Sequence, residues 1–308
     1  ASLLTNHMRD IKDITYYMEE CKRMGVSVLG PDVNESFYKF AVNNKGEIRF
    51  GLGAVKGIGE GAVETIVESR KEGGNYLGFD DFVKRVDSRS ANKRTLESMV
   101  CAGGFDSFDL KRFQYFAKEE SGQTYLEKMI KFGNKLKEIA KSPQVPMFDE
   151  SAEAAIKAPL PTETPAWTTM ELLSKEKDVV GIYISGHPLD DFKVEMQSFC
   201  NGDVSVFKSL SEFLKKEISI AGVVTEVEHK VSRQGKGWAF FTVEDYVDSY
   251  TFRIFGEEYL RFKHFLNLNN FLHIKTKIVE GWKNKETGIN GEPRIQYLNF
   301  RLLQDVVN

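Results

Sequence analysis

The chain has 308 residues, 41% of them hydrophobic and 28% charged, with a formal net charge of −3, which suits two or three soluble globular domains. No apolar run reaches the ~20 residues a membrane span needs, no signal peptide opens the chain, and Cys21, Cys101 and Cys200 lack the spacing of a disulfide framework or a zinc site. The slightly acidic balance excludes a surface that is basic throughout, so any nucleic-acid contact must come from local patches and bare backbone. A cytoplasmic protein is expected, and an opening of Ala1-Ser2-Leu3 in place of Met suggests part of something longer.

Met8, Ile11, Ile14, Met18 and Cys21 recur every three or four residues and predict an amphipathic helix ending near Gly25. Val26 to Leu29, Phe37 to Val42 and Ile48 to Phe50 read as short extended pieces around the Gly30-Pro31-Asp32 turn. The stretch from Leu52 to Ile66, LGAVKGIGEGAVETI, then spells two short helices joined at Gly57-Ile58-Gly59. Leu52 and Val55 give the apolar face of the first, Ile58 fills the gap, and Ala62 with Ile66 recur at the i, i+4 spacing of the second. The two glycines permit φ > 0 and leave the backbone bare, so amide N–H groups and the positive end of a helix can meet a phosphate oxygen. Such a contact grips DNA without reading its sequence. The pattern is that of a helix-hairpin-helix, with Lys56, Gly57, Ile58, Gly59 and Gly61 as candidate duplex contacts.

A second helical pair follows, with Phe79, Phe82, Val83 and Val86 on one apolar stripe and Leu96, Met99 and Val100 on the other. The turn between them brings Arg89, Asn92, Lys93 and Arg94 to a helix N-terminus, which is poor for the helix dipole and good for a phosphate. Between Ser142 and Pro165 the chain changes character, collecting Pro143, Pro146, Pro159, Pro161 and Pro165 into an extended linker. Inside it lies Gln144-Val145-Pro146-Met147-Phe148, a large apolar pair that has little reason to sit in such a linker unless a partner buries it. The pentapeptide resembles the bacterial sliding-clamp binding motif, a Gln followed by an apolar residue and Phe. A helical piece is expected at Glu171 to Val179, and His187, with no ligand-spaced companion, reads as part of a capped turn.

The last ninety or so residues are β-rich. Ile218 to Lys230, Trp238 to Asp245, Tyr250 to Phe255, Phe271 to Glu280 and Arg294 to Leu303 predict strands, with a helix at Glu257 to Phe265 between the third and fourth. Three strands, a helix and two strands is the order of an OB-fold barrel. Such barrels hold single strands by stacking bases on aromatic rings beside cations, and Lys236, Trp238, Phe240, Arg253, Trp282 and Lys283 are the candidates.

Several segments carry a family resemblance: Glu19-Glu-Cys-Lys-Arg-Met-Gly25 with Pro31-Asp-Val-Asn34, Gly46 through Gly61, Asn92-Lys-Arg-Thr-Leu-Glu97, Ala102-Gly-Gly-Phe-Asp106 and Gly186-His-Pro-Leu189. With their order along the chain, they resemble the C-terminal half of the bacterial DNA polymerase III α subunit family, the replicative polymerases. The resemblance implies a multidomain α+β chain: the end of a fingers domain (1–50), a tandem helix-hairpin-helix module on duplex DNA (51–141), a linker that docks the β sliding clamp (142–170), a connecting helical segment (171–216) and an OB-fold near the single-stranded template (217–308). It implies further replisome subunits as partners and no membrane. The polymerase palm that would hold Mg²⁺ with paired carboxylates is not represented, since no Asp-x-Asp pair occurs, so no cofactor and no catalytic residue are expected within this chain. Two readings of other classes stand beside it. A freestanding single-strand-binding or clamp-adaptor protein would differ only upstream, and a helix-hairpin-helix DNA glycosylase would use Asp80 beyond Gly73-Gly74 as its catalytic aspartate.

Overall fold

The computed structural model describes residues 1–141, 157–281 and 291–306. The chain divides into two compact units, Ala1–Gly186 and His187–Asn308. That boundary cuts the expected connector 171–216, because its helix packs into the first unit and the residues from His187 onward belong with the second.

The first unit opens with helices α1 (Ser2–Asn6) and α2 (Ile11–Arg23). Asp10 caps α2 by accepting from the Lys12 and Asp13 amides, and Ile14 and Cys21 turn its apolar stripe inward. Strands β1 (Val28–Leu29), β2 (Ala41–Val42) and β3 (Ile48–Arg49) form a small sheet with β3 central. A 3-10 turn, Leu52–Ala54, leads to α3 (Glu60–Gly73), then α4 (Phe79–Arg85), α5 (Lys93–Cys101), α6 (Arg112–Tyr115) and α7 (Tyr125–Lys141). Beyond the residues left undescribed, α8 (Thr169–Val180) starts on a Thr168/Glu171 capping box and stops at Gly181, whose φ of +90° only glycine adopts without strain. The core is aromatic. Phe79 lies 4.9 Å from Tyr115 and 5.1 Å from Phe105, both edge-on, and each such fully buried ring contributes about 1.5–3 kcal/mol by leaving water.

The second unit carries the short helix α9 (Lys193–Phe199) ahead of strands β4 (Glu217–Val231), β5 (Gly237–Glu244) and β6 (Ser249–Phe255), helix α10 (Gly256–Phe262), and strands β7 (Phe271–Val279) and β8 (Arg294–Leu302). All pair antiparallel in the order β6-β5-β4-β7-β8. Inward residues alternate as a half-buried sheet requires, so Phe241, Phe252 and Phe300 are fully buried while their strand neighbours face out. A bulge between Val224 and Glu226 bends β4 where it passes from partner β7 to partner β5. The expected barrel is not closed by a ladder: among the described residues β6 and β8 remain edges. What joins them is a side chain, the Tyr297 hydroxyl donating to the Arg253 carbonyl at 2.9 Å.

Candidate nucleic-acid interface

The hairpin forms with its apolar anchors buried. Leu52, Val55, Ile58, Ala62 and Ile66 are each at most 6% exposed. Its first arm is only the 3-10 turn, not an α-helix. Gly51 and Gly53 lie so close to Tyr38 that a methyl group on either would fall within 2.7 Å of its backbone or ring, and two glycines in five residues disfavour a longer helix. Gly57 takes φ +83°, the left-handed conformation expected. Gly59 does not; at φ −85° it is the extended N-cap of α3 and matters because it is bare, with open space where a side chain would start. The amides of Gly57, Gly59, Glu60, Gly61 and Ala62 have no hydrogen-bond acceptor among the described residues. They cluster at the positive end of a fourteen-residue helix, an arrangement that binds anions. Lys56 stands apart from this set. Its N–H donates to the Val179 carbonyl at 2.8 Å and its ammonium lies 3.3 Å from the Asp178 carbonyl, both on α8.

The second turn meets the first. The Thr95 hydroxyl donates to the Gly57 carbonyl at 3.1 Å, and a methyl group on Gly57 would lie 3.1 Å from Ser98 Oγ and 3.8 Å from Arg94 Nε. Asn92 is the N-cap of α5 and accepts from the Thr95 amide, so it is occupied in shaping the helix end. The three expected cations differ. Lys93 bridges Glu127 at 2.7 Å and Glu97 at 3.7 Å, contacts that raise its own pKa and draw Glu127 down to about 2, chiefly through the Lys93 hydrogen bond. Arg89 pairs with Asp87 across its own turn at 3.3 Å. Arg94, exposed and beside Gly57, has no acidic partner among the described residues. Of the three cations in this turn, Arg94 alone has no acidic partner among the described residues.

In the second unit, strand register assembles an outward aromatic face. Lys230, Trp238 and Phe255 are cross-strand neighbours, as are Glu228, Phe240 and Arg253. Trp238 lies nearly parallel to Phe255 at 5.2 Å and edge-on to Phe240 at 4.6 Å. The Lys230 ammonium sits 5.6 Å from the Trp238 ring centre and 5.1 Å from that of Phe240, and the Arg253 guanidinium 5.2 Å from Phe240. Phe255 is 53% exposed, which leaves ring surface for a base. Phe255 and Lys230 were not among the residues expected from sequence, although Phe255 has the same strand parity as Arg253. Lys236 is exposed in the turn between β4 and β5.

The pentapeptide Gln144–Phe148, with Trp282 and Lys283, lies outside the described residues. Asp80, the glycosylase candidate, sits in the first turn of α4 paired with Lys84 at 3.1 Å. The His187 amide donates to Asp190 and its ring nitrogen accepts from the Leu189 amide, the capped turn foreseen. Burial pushes the Cys101 and Cys200 thiols up to about 11, away from nucleophilic use. Among the described residues no cluster of His, Cys, Asp and Glu could hold a metal, and no helix is long and apolar enough to cross a membrane.

Residues 25–115 match the helix-hairpin-helix motif family. Over 98% of its length the chain is 32% identical to the DNA polymerase III subunit alpha of Borreliella burgdorferi. It is 31% identical to that of Saccharopolyspora erythraea over 91% of its length and 30% identical to that of Neisseria meningitidis serogroup A over 90%. The chain spans about a quarter of these relatives, 27% of the first and 23% of the other two.

Proposed function

We propose that this chain, by sequence a member of the DNA polymerase III α-subunit family, is the part of that protein that holds duplex DNA by its sugar–phosphate backbone. The observation that carries the reading is the group of amides at Gly57 and the start of α3 that have no acceptor among the described residues, with Arg94 beside them and without an acidic partner among those residues. A tetrahedral anion can accept from several of these donors at once, while base edges offer them nothing specific. The outward face of Trp238, Phe240 and Phe255 is the second nucleic-acid surface, an OB-like platform on which single-stranded template bases stack. Template-directed synthesis belongs to the full-length protein, in the cytoplasm, with palm carboxylates and Mg²⁺ outside this chain.

The pentapeptide Gln144–Phe148 would dock the β sliding clamp, Met147 and Phe148 entering an apolar pocket and Gln144 bonding its rim. The affinity is expected in the micromolar range, since a flexible peptide loses conformational freedom on docking. Met147→Ala with Phe148→Ala removes most clamp binding in a titration, and equal binding by this double variant refutes the assignment. For the DNA reading, fluorescence anisotropy with unrelated duplexes at low salt should give similar affinities, each lost in the Gly57→Val, Gly59→Val chain. A variant that stays folded by circular dichroism and binds as tightly as the parent overturns it.

A further inference from the structure

The phosphate-directed hairpin is held by a closed circuit of contacts that passes through α8, a helix far from it in sequence. Lys56, the residue before Gly57, gives both its amide and its ammonium to the last carbonyls of α8, those of Val179 and Asp178. These carbonyls would otherwise lack donor partners at a helix C-terminus, and the ammonium meets the negative end of the helix dipole. One turn earlier on α8, Glu176 is completely buried. Its carboxylate accepts from the Ile184 amide at 2.5 Å, the Ser185 amide at 2.8 Å, the Ser185 hydroxyl and the Arg112 guanidinium at 2.8 Å. Arg112, 8% exposed, also grips Asp106 through two nitrogens and donates to the Cys101 carbonyl at 3.1 Å. Cys101 is the last residue of α5, whose first turn brings Arg94 and Thr95 to Gly57. The hairpin, α8, Glu176, Arg112 and α5 thus form one ring that returns to the hairpin.

We propose that α8 is the brace that sets the hairpin, with Glu176 as the positioning residue, so that duplex DNA binding and the seating of α8 stabilise each other. None of the atoms of Glu176 is accessible to DNA; it acts through the position of the Val179 and Asp178 carbonyls and through the Arg112 hold on α5. A buried carboxylate whose two oxygens both accept hydrogen bonds fixes geometry more sharply than an apolar contact of the same size, because shifting it strands a charge. Since α8 begins at Thr169, just after the proline-rich stretch, tension on that stretch is expected to reach the DNA grip through it. Linkage makes the coupling reciprocal.

This inference rests on the duplex reading above, and the test separates the two. In the full chain, duplex affinity and its salt dependence are measured for the parent, Glu176→Gln, Lys56→Met and Arg94→Ala, and amide hydrogen exchange is followed in the parent over residues 169–186 with and without duplex. The expected result is that Glu176→Gln and Lys56→Met weaken binding by about fivefold or more while their salt slopes stay at the parent value, since no phosphate contact is lost. Duplex DNA should slow exchange across the end of α8 and the Ile184 and Ser185 amides. The exchange measurement needs no variant, so a poorly folded Glu176→Gln chain leaves it decisive. If Arg94→Ala weakens binding but DNA leaves exchange at α8 unchanged, the brace is refuted and the duplex reading stands. If the parent does not bind duplex at all, both fall.

Discussion

At the hairpin the groups offered to an anion are main-chain amides, and most nearby cations are engaged within the same unit: Lys56 by α8 carbonyls, Lys93 by Glu127 and Glu97, Arg89 by Asp87. On the β4–β5–β6 face the offering is all side chain, three rings with Lys230 and Arg253 lying against them. The contrast teaches where each surface tolerates change. An amide site depends on what is missing, a Cβ, and on the contacts that fix the backbone presenting it; a stacking face depends on ring area.

The contrast can be broken most directly at the glycines. Gly57→Val meets both a left-handed φ and Ser98 Oγ at 3.1 Å, so duplex affinity is expected to fall at least about tenfold, roughly 1.4 kcal/mol, with a lowered melting temperature. Gly59→Ala is cleaner, because its φ is ordinary and the methyl group meets nothing. It should leave melting unchanged and still weaken duplex binding; anisotropy curves identical to the parent would mean that no phosphate sits there. Of comparable size, Trp238→Ala and Phe255→Ala should each lose about 1–3 kcal/mol of single-strand affinity and leave duplex binding alone. Loss of duplex but not single-strand binding would reverse the division between the units. Smaller again, Arg94→Ala should reduce the slope of log affinity against log salt by about one, and Lys93→Ala should not.

The smallest effect is one of pH. Glu127 in the first unit is held at about 2 against an ordinary 4.5, first by the Lys93 hydrogen bond. In the second unit burial pushes Asp190 up, but the His187 amide, Lys193 and the Tyr246 hydroxyl outweigh it and hold it at about 2 against 3.8. Carboxylates with depressed folded pKa values contribute stability above their unfolded pKa and lose it as pH falls through the folded one. Both units should therefore weaken between about pH 4.5 and 2, and Glu127→Gln should flatten that loss in thermal melts of the chain. An unchanged acid profile in this variant would count against the Lys93–Glu127 bridge.

The parts legible in sequence were those set by neighbours along the chain. Ala62 and Ile66 were readable because helical spacing alone sends them inward, and Ile58 because an apolar residue between two glycines has only the gap between the arms to fill. The strands and α10 fell within a few residues of their expected limits for the same reason. Long-range partners were not legible. That Lys93 is paired depends on Glu127, thirty-four residues away, and Lys56 finds its acceptor 122 residues on. Arg112 and Glu176 carry no local signal either, since an Arg in a short helix and a Glu in an amphipathic one read as solvated surface. The first hairpin arm failed for a packing reason, Tyr38 against Gly51 and Gly53, which periodicity does not register.

The engagement of those cations has a kinetic consequence. With a net charge of −3 over the chain and, among the described residues, Arg94 as the cation of the second turn without an acidic partner, there is little field to draw a polyanion from a distance, so encounter should proceed at an unsteered rate, on the order of 10⁵–10⁶ M⁻¹s⁻¹. The amides act only once a phosphate is within hydrogen-bond reach. A duplex held by such amides would be slow to arrive and slow to leave, and any tether that kept it close would raise its occupancy.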